Sequence, residues 1–331
     1  MSNNKHQHIL DRAIKALHER TFYAQYPEHP SPKIYGDTAD KEGQDWFKAQ
    51  LNNTFSELSS GDGVVTVSDE ESPYIGEKLN IAYPTYTANQ LVDKASTAFD
   101  SWRKISVDQR AEMLIESLER LKNRFFDIAN ATMHTTGQGY MMAFQASGPH
   151  AADRALEAIS TGYEEITRFP QAATWDKHMG KYNIQLNKEW RCVPKGVSVV
   201  IGCSTFPTLN PVPGMYAILI TGNPVFIKPL PCAILPIAVV VAELKKVLAE
   251  HNLYENIIQL GVDSFENTIS KELAEHTIVK LIDYTGNSAF GDYLEALPGK
   301  TVFTEKTGVN SAIIDSCEDV DKMVANLAFS A

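Results

Sequence analysis

No apolar run in the 331-residue sequence approaches the roughly 18 to 20 residues that a membrane-spanning helix needs. The opening MSNNKHQHILDRAIKALHER is polar and helical in pattern, without the apolar core of a signal peptide. Cysteine is scarce: the chain has only Cys192, Cys203, Cys232 and Cys317, at spacings that suit neither a disulfide framework nor a metal knuckle. Reduced thiols in a cytoplasmic protein are therefore expected. His134, His150, His178, His251 and His276 lack acidic or Cys neighbours at ligand spacing, so no metal site is expected. Positive charge is in deficit, with 30 Lys and Arg against 41 Asp and Glu and a net charge of −11. That balance, with no long basic tract, argues against nucleic acid and anionic membranes as partners, and the cations of RLKNRFF read as a solvated helix face. The chain also lacks internal repeats and low-complexity tracts.

What is present divides into two rhythms. Up to about residue 168 the pattern is largely helical. Ile9, Leu10, Ile14 and Leu17 share one helical face, and Trp46, Phe47, Leu51, Phe55 and Leu58 form a second such pattern. VVTVSDEESPYIGEKLNIAYP interrupts as strand, turn at SPYIGE, and strand. Helices resume with ANQLVDKASTAFDSW, with the segment that Ser106 would cap, and with a third after the TGQGY break, ending near Phe169. YNIQLNKEW then alternates like an exposed strand.

From Pro194 a βα rhythm takes over. Strands are predicted at 197–202, 225–228, 257–261, 279–286, 301–305 and 311–315, and helices at 210–220, 234–250, 266–275 and 287–297. Apolar strands alternating with amphipathic helices predict an α/β fold with a doubly wound parallel sheet, preceded by a helical amino-terminal region. Five segments result: an extension at 1–71, a helical part at 72–180, a strand region at 181–195, a nucleotide-binding core at 196–304, and the start of another domain at 305–331.

Ligands on such sheets collect at the carboxyl ends of the strands. Lys228 there suits a ribose hydroxyl or a phosphate, or is an ordinary rim lysine. Thr285, Gly286 and Asn287 open a helix whose free N–H groups favour an anion, or form a plain capped turn. No Gly-x-Gly-x-x-Gly lies near these strands, so the common dinucleotide fingerprint is absent. Glu305 ends an apolar strand beside a glycine turn. Partial desolvation there would suit a general base, and the competing reading is a solvated Glu paired with Lys306.

Taken together, GVSVVIGCSTFPTLNPVPGMYAILITGNPVFIKPLP, LIDYTGNSAFG and FTEKTGVNSAIID resemble the aldehyde dehydrogenase superfamily in its Pro-Trp-Asn-Phe-Pro loop, Gly-Asn turn, Lys-Pro-x-Glu, Phe-Thr-Gly-Ser-x-x-x-Gly and Glu-Leu-Gly-Gly-Lys segments. FDSWRKISVDQRAEMLIESLERLKNRFFDIA resembles the family's early helix pair. The likeness runs from about Ser72 onward, and the amino-terminal features are most similar to the branch concerned with phenylacetic acid degradation. The resemblance implies oxidation of a small aldehyde, a CoA-linked or aromatic-derived semialdehyde, to an acid with NAD(P)+. It assigns Glu305 to general-base work, Lys228 to the ribose or 2′-phosphate, and Thr285, Gly286, Asn287 and Gly291 to the pyrophosphate side. Cys203 and Ser204 lie in the cofactor loop. YNIQLNKEWRCVP resembles the oligomerisation hairpin and implies a homodimer.

Three departures accompany the likeness. Thr205 stands where the family has its oxyanion Asn, and loss of such a donor is worth roughly 3 to 4 kcal/mol of barrier. Pro231 stands where the family has the ribose Glu, which leaves room for a 2′-phosphate and favours NADP+ over NAD+. None of the four cysteines takes the place of the family nucleophile: Cys317 follows Glu305 too closely, in the acidic turn DSCEDVD. The expectation is an amino-terminal portion of the enzyme that binds cofactor without turnover. The alternative is a naturally short, non-catalytic nucleotide-binding or assembly protein.

Overall fold

A computed structural model describes residues 5–59, 61–309 and 311–330. Its centre is a five-stranded parallel sheet. In spatial order the strands are Thr301–Lys306, Val279–Gly286, Val197–Ile201, Val225–Lys228 and Ile258–Leu260. All residues of Val197–Ile201 and Val225–Lys228 are buried, because the sheet is covered on both faces; all but Ser198 and Lys228 are apolar.

One face carries Val200, Val225, Ile227, Leu260 and Leu281 and packs on the helices Pro211–Ile220 and Leu235–Glu250. The other face carries Val199, Ile201, Phe226, Ile282 and Tyr284 and packs on Ala88–Trp102, Ser270–Glu275 and Ser288–Glu295. The sheet is thus doubly wound as expected. Chain order reverses between Val197–Ile201 and Val279–Gly286, the switch point where such sheets open a crevice.

The helices in front are held to this core by polar contacts at one end of Pro211–Ile220. Trp102 donates Nε1 to the Leu219 carbonyl at 3.0 Å, and buried Arg110 donates Nε to Ile220 O at 2.9 Å. The Gly222-Asn223 turn follows. Gly222 sits at φ +85°, where a Cβ would fall 2.8 Å from Pro194, and Asn223 Oδ1 accepts from Gly196 N at 2.9 Å. Ser106 caps Val107–Leu121 with a reciprocal Gln109 contact, as expected, and Thr87 with Gln90 does the same for Ala88–Trp102. The helix after TGQGY runs from Tyr140 to Thr167 through a π-turn at Ala146–His150, where Pro149 has no N–H to give. Ile9, Leu10, Phe47 and Phe55 of the amino-terminal region belong to the same core cluster as the sheet's first face.

Several local expectations change. Residues 311–315 are irregular rather than strand, with Ile313 93% exposed; an apolar run becomes a strand only where a ladder and a surface receive it. The helix expected over 266–275 begins only at Ser270, and Phe55 and Leu58 are buried from non-helical backbone after Ala39–Gln50 ends. The exposed strand Asn183–Glu189 has an unanticipated partner, Ala172–His178, joined to it through seven antiparallel pairs.

Candidate functional site

Four segments meet at the carboxyl edge of the sheet around the switch point. The first is the loop from Gly202 to Asn210. Thr208 fixes it from below by donating its hydroxyl to the Ser147 carbonyl at 2.8 Å in the buried layer. Cys203 is half-buried, and its Sγ lies 3.5 Å from Asn210 Oδ1. Ser204 is half-buried, whereas Thr205 is exposed and its carbonyl accepts from the Gln138 side-chain amide.

The second and third segments frame Glu305. In the parallel register Thr285 pairs with Glu305 and Asp283 with Phe303, so Asp283, Thr285 and Glu305 share the face covered by Pro211–Ile220. Asn210, immediately before that helix, donates Nδ2 to Glu305 Oε2 at 2.9 Å, and the Thr285 hydroxyl reaches the same oxygen at 3.4 Å. Glu305 does not pair with Lys306. Neighbouring strand residues point to opposite faces, and Lys306 turns to Asp292 and Glu295 instead. The expected desolvation of Glu305 is also not found, since its side chain is exposed. Burial acts on Asp283, whose carboxyl is pushed up to about 6 by desolvation first and by the charge of Glu305 second. Asp283 reaches the helix at Gly214, where a Cβ would stand 1.7 Å from Oδ2.

At Gly286 the backbone passes so close to Tyr284 that a Cβ would lie 2.3 Å from its hydroxyl, and that hydroxyl donates to Asn287 O at 3.0 Å. Asn287 then caps Ser288–Glu295 by accepting from Phe290 N at 2.9 Å, and Gly291 is buried inside the helix. The expected helix opening is present, with its cap supplied by the chain itself.

The fourth segment is Lys228 to Pro231. Lys228 is buried at its strand end, with Nζ 2.7 Å from Asp263 Oδ1, and Pro231 is buried beside it. The cofactor-facing lysine of the expectation therefore already has a carboxylate partner. A second carboxylate arrives from far upstream. Glu70, fully buried, accepts from Ile234 N and Leu235 N at 2.7 Å each, and also from Ser68 Oγ and Tyr83 Oη at 2.9 and 2.7 Å. It thus caps Leu235–Glu250 in place of a residue from the Lys-Pro motif; burial raises its pKa. Burial likewise raises the Cys232 thiol, which keeps it protonated rather than nucleophilic.

Sequence reasoning brought Cys203, Lys228, Thr285, Gly286 and Glu305 to one edge but missed Asn210, Asp263, Asp283 and Glu70. Asn210 follows Thr205 by five residues, and an amide so near a departed amide position was the available signal. Asp263 ends the run IIQLGVD just past a core strand, which was a signal too. Glu70 had none.

A doubly wound parallel sheet whose chain order reverses beside its central strand is an architecture shared by nucleotide-binding α/β proteins. Residues 75–331 match the sequence profile of the aldehyde dehydrogenase family, and the chain belongs to that family. It is similar to an NAD-dependent aldehyde dehydrogenase from Burkholderia multivorans of known crystal structure, with 40% identity and a TM-score of 0.91 over 98% of this chain and 59% of that one. The 1-pyrroline-5-carboxylate dehydrogenase of Bacillus subtilis (strain 168) is 24% identical over 93% of this chain and 60% of its own length. The D-glyceraldehyde dehydrogenase (NADP(+)) of Picrophilus torridus is 23% identical over 74% of this chain and 46% of its own. The chain thus spans about 60% of the first two relatives. Among the described residues no helix is long and apolar enough to cross a membrane, and no cluster of His, Cys, Asp and Glu suits a metal ion.

Proposed function

We propose that this chain provides the cofactor-binding part of an aldehyde dehydrogenase that oxidises a small aldehyde to its acid with NAD+ or NADP+. The observation that carries the reading is the bridge from the Cys203–Asn210 loop to Glu305 at the switch point. Family membership supplies the reaction class. Lys228, Thr285, Gly286 and Gly291 would hold the dinucleotide, as the resemblance to the family assigns them. The cofactor, when bound, supplies the hydride acceptor.

The chain's own residues do the positioning. Asn210 and Thr285 orient the Glu305 carboxylate, whose free lone pairs can take a proton from water during release of the acid. Thr205 offers a hydroxyl toward the oxyanion in place of the usual amide. The half-buried Cys203, hydrogen-bonded to Asn210, lines the cofactor loop rather than serving as nucleophile.

For the substrate we propose a semialdehyde of aromatic catabolism, CoA-linked or free. Support comes from the amino-terminal extension, the SPYIGEKLNIAYP hairpin and Pro231, which resemble the phenylacetic acid degradation protein PaaN. Four free cysteines support a cytoplasmic location, and the exposed hairpin Ala172–His178 with Asn183–Glu189 supports a homodimer.

Titration with NAD+ and NADP+ by calorimetry, followed by turnover of a panel of aldehydes, tests the reading. Binding of a dinucleotide is expected. Absence of binding for both would overturn it, and turnover of an aldehyde by this chain alone would overturn the reading that none of its cysteines is the nucleophile.

A further inference from the structure

Gln138 stands between two glycines in the break that separates the helices Phe125–Thr136 and Tyr140–Gln145, so its own neighbours give it little rigidity. What fixes it comes from elsewhere. Gln138 N donates to Thr136 Oγ1 at 3.3 Å. The Tyr74 hydroxyl, from the SPYIGE turn, reaches Gln138 O at 2.8 Å and Gly137 O at 3.1 Å. That turn is itself pinned by Ser72, whose Oγ accepts from Tyr74 N and Ile75 N at 3.3 Å each and lies 2.8 Å from His134 Nδ1. The main chain of Gln138 is thus held on both sides, and its side-chain amide donates to the Thr205 carbonyl. Among the described residues no other hydrogen bond reaches the main chain of Cys203, Ser204 or Thr205. Gln138 Oε1 is enclosed without a partner, an uncompensated cost kept beside the site loop.

We propose that Gln138, aimed by Tyr74, is a positioning residue that sets the Thr205 peptide for the reaction at Glu305. The inference rests on reading the Cys203–Asn210 loop as the reacting side of the crevice. Thr205 offers a hydroxyl where the family has an amide. A single O–H on so short a side chain meets a developing oxyanion only if the backbone beneath it is held in place. The bond from Gln138 fixes the peptide from which that side chain rises. The rest of the loop has its own anchors, since Thr208 donates to Ser147 O at 2.8 Å and Asn210 donates to Glu305 at 2.9 Å. Gln138 supplies the restraint that Cys203–Thr205 otherwise lacks, and the amino-terminal turn acts on the site through it.

Two measurements test this. In the chain itself, alkylation of the half-buried Cys203 by iodoacetamide, followed by mass spectrometry, should run about tenfold faster in Gln138→Ala than in wild type, with the exposed Cys192 and Cys317 as unchanged internal references. In the whole enzyme of which this chain would be the cofactor-binding part, Gln138→Ala should lower kcat by about tenfold while the dinucleotide Kd stays within about twofold. Gln138→Glu, which sets an acceptor against the Thr205 carbonyl, should lose as much. Gln138→His, whose ring Nε2–H can take the place of the amide, should recover most of the rate, and Tyr74→Phe should show a smaller loss. Thermal melts establish that each variant is folded, and Gln138→Glu with Tyr74→Phe carries the comparison if Gln138→Ala is not. An unchanged kcat in a folded Gln138→Ala, or equal losses in Gln138→Glu and Gln138→His, would overturn the proposal. A wild-type enzyme that binds dinucleotide but oxidises no aldehyde would overturn the functional reading and the catalytic part of this inference with it; the Cys203 rates decide separately whether Gln138 restrains the loop.

Discussion

The amide of Asn210 donates to the carboxylate of Glu305 at 2.9 Å, joining the loop after the central strand to the sheet's outermost strand. The contact spans 95 residues of chain and crosses the switch point. It holds the Glu305 carboxylate, the proposed general base, in a defined direction while leaving it open to water. In the whole enzyme of which this chain would be the cofactor-binding part, Asn210→Ala should therefore lower the rate of aldehyde oxidation by about ten- to a hundredfold, since small misplacements of a reacting group cost that much. The melting temperature should barely move, because both groups sit at the surface end of the sheet. Steady-state kinetics beside a thermal melt would show the split, and equal loss of both would reduce Asn210 to a structural role.

Gly214 is where the helix Pro211–Ile220 touches the sheet through Asp283. An added methyl would lie 1.7 Å from the carboxylate oxygen, so Gly214→Ala should destabilise by about 1 to 3 kcal/mol through overpacking. Combining it with Asp283→Ala should recover part of the loss, and the non-additivity can be read from a double-mutant cycle in urea.

The contribution of Asp283 to stability should fall as pH rises from about 4 to about 6. Its folded pKa, pushed up to about 6 by burial, lies above its value in the unfolded chain. The native state therefore keeps a proton that the unfolded state releases, and raising the pH favours unfolding across that window. Asp127 and Asp153, also raised to about 6 chiefly by burial, act in the same sense. Asp283→Asn should remove its share, at most about 3 kcal/mol, and flatten the slope measured by denaturant titration at each pH.

Glu70 satisfies two helix N–H groups and two hydroxyls at once in a site closed to solvent. Glu70→Ala should cost about 3 kcal/mol or more, since every one of those donors would be left in a dry cavity. Glu70→Gln, which keeps the shape and one acceptor, should cost clearly less. Chemical denaturation of the two variants would measure the difference, and equal losses would mean that packing alone matters there.

Much of this was legible along the chain. The strands Val197–Ile201 and Val225–Lys228 announce themselves because a doubly covered strand is apolar at most positions on both faces. Ser106 reads as a cap because its oxygen and Gln109 serve local N–H groups. Lys228, Gly286 and Glu305 were found because the end of a strand marks the sheet's ligand edge. The run at 311–315 misled because alternation or apolarity promises a strand only if a neighbour offers a ladder, and that neighbour is not encoded locally.

The sequence by itself determined the elements, their alternation, and which side chains stand at the strand ends, since these depend on contacts within a few residues. Only the tertiary structure decided what those side chains meet. Asn210 finds Glu305, Asp263 finds Lys228, and Glu70 caps a helix more than 160 residues downstream. Each pairing joins groups distant in the chain, and their geometry exists only once the sheet has brought the strand ends together. Burial, which shifts Asp283 and leaves Glu305 in water, is likewise a property of the packed molecule and not of either residue's neighbours in sequence.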